Sequence, residues 1–277
     1  MLRKLYRGIF LKFFPALSLI LFTLIVGMSA LAPIIATEDP LELKVFEAFE
    51  PPGGKYILGT DDLGRDVFSR LLYGGRISLN IALTSAIGAG FFGLLIGMVS
   101  GYFKKIDLVI MAIMDGLNSF PGIILALATV AALGTSHINV IISLVLVFTP
   151  NVSRIVRSTM LVLREMDYVV AAKALGISDF QIIYRHLIPN AMAPWLVQVT
   201  MILAFALLAE AGLSFLGVGG STELPSWGGI IAEGRLVIGK APWLVLLPGL
   251  LITLTVLSIN ILGDALRDII DPQLQGR

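Results

Sequence analysis

Two carboxylates fall inside otherwise apolar stretches of the chain, Asp115 and Glu210; between Ala191 and Thr222 no other charge accompanies Glu210. Placing an ionised side chain against lipid costs about 3 kcal/mol or more, so such residues face a bundle interior or an aqueous cavity. Two kinds of chemistry are open to them: a polar partnership between helices, or direct contact with a solute passing between helices. The remaining reactive inventory is sparse. The 277 residues include no cysteine and two histidines, His137 and His186. That composition excludes thiol nucleophiles, disulfides and thiolate metal sites, and leaves too few imidazoles for a histidine cluster. No carboxylate pair or Ser/His/Asp set marks a hydrolytic centre. The expectation is a chain with no catalytic residue, no metal and no cofactor of its own.

Two phosphate-loop look-alikes do not survive inspection. Gly234 to Lys240 has the spacing of a nucleotide-binding loop, but Ala241 stands where a Mg²⁺-holding hydroxyl is needed and Pro242 disfavours the helix that should follow. Gly88-Ala89-Gly90-Phe91-Phe92-Gly93 matches a dinucleotide fingerprint, yet it sits inside an apolar run with no preceding strand. Any energy source must therefore lie on another chain.

The segment 158–190 carries the most organised signal. A first short helix is expected from Met160 to about Leu175, stopped by Gly176 as a left-handed C-terminal residue. Ser178, with Gln181 three residues on, forms a capping box; Ile177 and Ile182 suit a hydrophobic staple, and Asp179 complements the dipole of a second helix. Ile188-Pro189-Asn190 is expected to end it. Ala171, Ala172, Ala174 and Gly176 make the elbow thin, while Tyr168, Ile177 and Phe180 offer apolar anchors for a partner groove. The alternative is a loop that only lies on the membrane.

What must position these residues is a membrane bundle. Apolar residues make up 57% and charged residues 14% of the chain, against about 45–50% and about 25% for soluble domains; mean hydropathy is +0.92 and net charge +1. A soluble globule, a disordered chain and a basic nucleic-acid-binding domain are all excluded. Crossing hydrocarbon takes roughly 20 residues nearly free of charge. Six runs qualify: Phe13 to Thr37, Ile77 to Phe103, Leu108 to Ser136, Ile138 to Ser153, Ala191 to Ala209 and Trp243 to Leu262. The first is too long for a signal h-region and reads as an uncleaved anchor despite Ala30-Leu31-Ala32.

The expected layout is all-α integral membrane: a tail 1–12, a first span 13–37, an outward loop 38–76, a five-helix core 77–263 holding the elbow 158–190, and a tail 264–277. With the N-terminus inside, Arg3, Lys4, Arg7, Lys12, Lys104, Lys105, Arg154, Arg157, Arg164, Lys173, Arg185, Arg267 and Arg277 all fall on cytoplasmic segments, which supports both termini inside. In the outward loop, Leu63, Val67 and Leu71 recur at helical spacing up to Gly74-Gly75 and predict an amphipathic interfacial helix. Pro225, Trp227 and Trp243 suit the headgroup level of a second outward segment, 219–242. Gly93, Gly97 and Gly101 share one helix face and invite close helix packing.

Three ordered blocks resemble a known family. The first is Leu58-Gly59-Thr60-Asp61-Asp62-Leu63-Gly64-Arg65-Asp66-Val67 followed by Ser69-Arg70-Leu71-Leu72-Tyr73-Gly74. The second is Asp167-Tyr168-Val169-Val170-Ala171-Ala172-Lys173-Ala174-Leu175-Gly176 with Arg185-His186-Leu187-Ile188-Pro189-Asn190. The third runs from Ala209-Glu210-Ala211-Gly212-Leu213-Ser214-Phe215-Leu216-Gly217 through Pro225-Ser226-Trp227-Gly228 and Ala241-Pro242-Trp243 to Asn260-Ile261-Leu262-Gly263-Asp264, Leu266-Arg267-Asp268 and Asp271-Pro272. Together they resemble the permease subunit of binding-protein-dependent ABC importers, in the C-type subunit of the dipeptide/oligopeptide/nickel branch. One departure is Val170, where the family's Glu-Ala-Ala loop carries an acid.

The resemblance implies a bacterial or archaeal inner-membrane protein. It implies pairing with a B-type permease, two ATP-binding subunits that hold ATP and Mg²⁺, and an extracytoplasmic peptide-binding protein. It assigns 158–190 to docking on the ATPase, with Tyr168, Ala171, Ala172, Ala174, Gly176, Ile177, Ser178 and Phe180 as the contact set. Peptide is the expected cargo, with nickel complexes and oligosaccharides as alternatives within the family. An ion-coupled secondary transporter or a homo-oligomeric channel would leave the preformed elbow without a use, and no internal repeat supports the former.

Overall fold

The computed structural model describes residues 13–220 and 225–270, mostly helical and without a strand among them. Arg3, Lys4, Arg7, Lys12, Thr222, Asp271, Pro272 and Arg277, with both expected tails in whole or part, lie outside the described residues. Besides the single turn Ala32–Ile35, the α-helices are α1 Phe13–Ala30, α2 Val67–Tyr102, α3 Lys104–Asn118, α4 Gly122–Leu133, α5 His137–Leu163, α6 Asp167–Ala174, α7 Asp179–Ile182, α8 Ile188–Phe215, α9 Trp227–Gly234 and α10 Trp243–Ile270. Five helical stretches are long and apolar enough to cross a membrane, or six if the bent pair α3 and α4 counts as one. The chain is a multi-pass, all-α membrane protein.

Helix α2 corrects the expected loop. The helix predicted over 62–73 starts instead at Val67, where Asp66 caps it by accepting from the Ser69 N–H at 2.9 Å. It runs on unbroken for 36 residues through Gly74-Gly75. Val67 and Leu71 are buried in the bundle rather than laid on a headgroup surface. The two glycines are there for closeness, not for a stop: a Cβ on Gly75 would stand 2.3 Å from Ser29 Oγ and one on Gly74 would stand 3.2 Å from the Trp227 ring. Farther along, Gly93, Gly97 and Gly101 seat α5, with Cβ positions 2.3–2.6 Å from Val152, Val156, the Ser153 carbonyl and Met160. The Gly88–Gly93 look-alike belongs to the same packing; Gly90 gives its carbonyl to Trp195 Nε1 at 2.9 Å.

Three further expectations change. The third run is not one straight helix: α3 and α4 meet at 90° across residues 119–121. Pro121 supplies no N–H and biases Phe120 away from helical geometry. The fourth run is longer than expected: α5 passes through Pro150 to Leu163, so Met160 belongs to the span and not to the elbow, and Arg154 and Arg157 are helix residues rather than loop cations. Ile188-Pro189-Asn190 opens α8 instead of closing a helix: the π-turn before it ends with the Ile188 N–H on the Ile183 carbonyl, and Pro189, in the first turn of α8, supplies no donor.

Trp227 is the largest fully buried side chain, 1% exposed, and not a headgroup residue. Its Nε1 donates to the Leu71 carbonyl at 2.9 Å and its N–H to Ser78 Oγ at 3.2 Å, which plugs α9 into α2. The loop 38–66 is held to the same end. Gly64 adopts φ +75° with the Lys44 carbonyl 1.8 Å from where a Cβ would be, so the turn accepts glycine alone. In the loop, a hydrogen bond from Lys55, with a second from Tyr56, keeps the Glu47 carboxyl below its ordinary range.

Candidate functional site

The elbow is rigid on one side and open on the other. At the end of α6 the Ile177 N–H reaches the Ala172 carbonyl at 3.1 Å and the Gly176 N–H reaches Lys173 at 3.0 Å, with Gly176 at φ +77°. Those two bonds are the Schellman stop, and a left-handed residue is its requirement. Ser178 then caps α7 by accepting from the Gln181 N–H at 3.4 Å. After α7 a π-turn, Ile183–Leu187, leads into α8 without interruption, so Asp179 to Phe215 is a single rod of 37 residues.

The inner face of this elbow is part of the bundle core. Val169, Ala172, Ile182 and Leu187 pack with Tyr102, Val156 and Met160. The Tyr102 hydroxyl donates to Asp179, the Lys173 ammonium sits 4.8 Å over the Tyr102 ring, and Arg164 donates to the Gly101 carbonyl at 2.8 Å. Ala172 therefore faces the bundle and offers nothing to a partner, and Ile177 is only half-exposed. The other contact candidates, Tyr168, Ala171, Ala174, Gly176, Ser178 and Phe180, are exposed.

Apolar residues that sequence reading passed over complete this face. Val170, Leu175 and Tyr184 are exposed, Leu175 by 81%. The Phe180 and Tyr184 rings stack parallel at 6.3 Å; their i, i+4 spacing was the available signal. A surface of this kind, apolar and backed by packed core, suits insertion into a groove of another protein. Val170 shows that the departure from an acid at this position falls on the open face.

Glu210 lies at the opposite end of α8, fully buried. Its Oε1 accepts from Ser214 Oγ at 2.7 Å, while Oε2 has no partner among the described residues. It sits beneath the turn that Trp227 plugs, a junction of α8 with α2 and α9 rather than an open passage in this conformation. Replacing it with Gln keeps an acceptor for Ser214 and removes the charge. The Glu210→Gln chain is expected to reach the membrane at wild-type levels while uptake falls about tenfold, the effect of about 1.4 kcal/mol. Parallel immunoblot and uptake assays check this, and loss of the protein itself would reduce Glu210 to a structural strut.

Asp115 is exposed and bound by Arg154 of α5 at 2.6 Å; the structure does not bring it near Glu210's junction.

A cluster missed by sequence reasoning holds the loop end. Arg70, 2% exposed, donates to Asp61 and to Glu233, each at 2.7 Å. Arg65 donates to the same two acids at 2.6 and 2.9 Å. Asp66 Oδ2, besides capping α2, accepts from Thr37 Oγ1 at 2.8 Å. The acids and arginines of the first sequence block are thus fasteners between loop, α2 and α9, although Asp66 Oδ1 and Arg70 Nε are buried without a hydrogen-bond partner among the described residues.

Residues 91–276 match the family described as binding-protein-dependent transport system inner membrane component. A putative peptide transport system permease of Brucella suis biovar 1 is 45% identical, across 94% of this chain and 88% of that protein. The dipeptide transport system permease DppC of Alkalihalophilus pseudofirmus is 40% identical across 93% and 85%. Among solved structures, one reported as inward-facing conformations of the MetNI methionine ABC transporter aligns with a TM-score of 0.60 and 21% identity, over 73% of this chain and 96% of that one. That likeness is one of fold.

Proposed function

The chain belongs to the binding-protein-dependent transport system inner membrane components, and we propose that it serves a peptide importer, forming with a second, B-type permease a path that opens alternately to either side. Two ATP-binding subunits lie beneath the permease pair, one of them docked on this chain's elbow, and supply ATP hydrolysis with their Mg²⁺, so this chain needs neither catalytic residue nor cofactor. A peptide-loaded binding protein docks on the opposite, extracytoplasmic face. Both termini are then cytoplasmic. Peptide as cargo is supported by the names of relatives, which include peptide, dipeptide and glutathione permeases.

The observation that carries this reading is the two-faced elbow. Its exposed apolar face accepts a partner, and its buried face is welded to α2 and α5 while α7 runs straight into α8. When ATP closes the ATPase pair, a push on Phe180 and Tyr184 is delivered along one continuous rod to the loop end, about 50 Å away at 1.5 Å per residue. Packed helices shift between discrete arrangements and do not flex continuously, so the bundle rocks between two states.

Co-purification of the tagged chain from its native membrane tests the assembly. An ATP-binding subunit is expected at stoichiometric level, with ATP hydrolysis rising several-fold when peptide-loaded binding protein is added. Ion-gradient-driven uptake without any ATPase partner would overturn the reading, and stimulation only by a nickel- or sugar-loaded receptor would replace the cargo while keeping the machine.

A further inference from the structure

Six polar side chains lie along one face of α3 and α5, five of them exposed and Asn118 half-buried; the Ser119 and Ser158 hydroxyls are satisfied by their own helix carbonyls, whereas the charged pair and the two amides are costly against lipid. Asp115, Asn118 and Ser119 stand at the end of α3; Asn151, Arg154 and Ser158 form a stripe on α5 at i, i+3, i+7. Arg154 Nη2 donates to Asp115 Oδ1 at 2.6 Å. Asn118, its amide oxygen turned to the guanidinium, accepts from Nη2 at 3.1 Å and Nη1 at 3.3 Å. The Asn118 and Asn151 amides lie 3.3 Å apart. Nearer the elbow, Arg157 and Asp107 form a tighter pair, 30% and 18% exposed, bonded at 2.5 and 2.6 Å. That pair holds helices together, whereas Arg154 and Asp115 are 49% and 61% exposed.

Depth follows from helix rise. Asp115 stands about 16 Å along α3 from Lys104, and Arg154 about 14 Å along α5 from Leu163, at 1.5 Å per residue. With Lys104 and Leu163 set at the cytoplasmic boundary, both fall within a hydrocarbon layer of about 30 Å. Just beyond Asp115 the backbone breaks, and interrupted backbone at this depth occurs only where protein buries it or where it lines a watery cavity. The side chains are exposed on this chain, so the second permease proposed above is what faces them, and a water-lined path between the two permeases satisfies both facts.

The geometry points to these residues as a polar station on the solute path, where Arg154 receives the terminal carboxylate of a passing peptide and Asp115 its terminal ammonium. Each end of the zwitterion replaces one partner of an ion pair. An exposed pair contributes little to stability, so the exchange is nearly balanced, as passage rather than retention requires. Asn118 and Asn151 offer donors and acceptors to the peptide bond between the ends. This inference rests on the peptide-permease reading above.

The chain contains no cysteine, so single cysteines can be placed cleanly in a reconstituted complex whose partners are also cysteine-free. A positively charged, membrane-impermeant thiosulfonate is expected to label Asn151→Cys and cut peptide uptake at least tenfold. Leu108→Cys, exposed on an apolar face, is expected to escape labelling. The neutral pair Asp115→Asn with Arg154→Gln is expected to lose about tenfold in uptake while keeping receptor-stimulated ATP hydrolysis. An unreactive Asn151→Cys in an active complex, or wild-type uptake by the neutral pair, would overturn the station alone. Absence of ATP-driven uptake by the unmodified complex would instead overturn the functional reading, and this inference with it.

Discussion

Gly176→Arg is expected to abolish uptake, more than fiftyfold, while the chain still folds and reaches the membrane. Two effects act at this position. Gly176 holds φ +77°, and an L-residue there costs about 1–2 kcal/mol, a sum the bundle absorbs because the Schellman bonds and the packing of Ala172 and Ile182 remain. The second effect is steric and electrostatic. No atom lies within 4 Å of a Cβ placed on Gly176, so an arginine extends freely into the space that the proposed ATPase docking would fill and would carry a charge into that contact.

Gly176→Ala and Gly176→Asn separate the two. Both carry the backbone strain, asparagine the less because it tolerates the left-handed region, and neither has bulk enough to block a partner. Both are expected to retain at least a third of wild-type uptake. The decisive measurement is ATP hydrolysis by the reconstituted complex with and without loaded binding protein. With arginine at 176, stimulation disappears; a normal response together with normal uptake would remove the elbow from the coupling path.

The contrast between the elbow and the spans shows where sequence carried information. At 171–182 the signals are local, a left-handed glycine, a capping serine and a staple within twelve residues; the structure contains the first two, and Ile177 packs against the cluster that holds Ile182. The stripe Gly93, Gly97, Gly101 was likewise legible because small residues at spacing four have one use on an apolar helix. Gly74-Gly75 and Ile188-Pro189-Asn190 have two uses each. A glycine pair can end a helix or admit a neighbour, and only the position of Ser29 and Trp227, distant in sequence, selects the second. Proline can close one helix or open the next, and the π-turn at 183–187 decides it.

Trp227 was misplaced for the same reason, since the headgroup level and a buried socket against Leu71 and Ser78 ask for the same amphipathic ring. The break at 119–121 lay beneath a hydropathy average that reads α3 and α4 as one run. Ion pairs between residues more than 160 positions apart, Arg70 to Glu233 among them, leave no periodic trace at all.

Arg70→Met is expected to be the most damaging substitution at the loop end, lowering stability by about 3 kcal/mol. The reason is asymmetry of burial. Asp61 is 2% exposed and Arg70 2%, while Glu233 is 46% exposed. Removing Arg70 leaves a buried carboxylate with Arg65 as its remaining cation, and it frees α9 from α2 on the side where Trp227 must stay seated. Glu233→Gln removes a partner that water can replace, and about 1 kcal/mol or less is expected. Pairing Arg70→Met with Asp61→Asn removes the stranded charge as well, so the double variant is expected to regain at least half of the loss. Thermal unfolding of the purified complex, read by the size-exclusion peak remaining after heating, ranks the three. Equal midpoints for Arg70→Met and Glu233→Gln would mean that the cluster is a surface network and that Trp227 alone fastens α9.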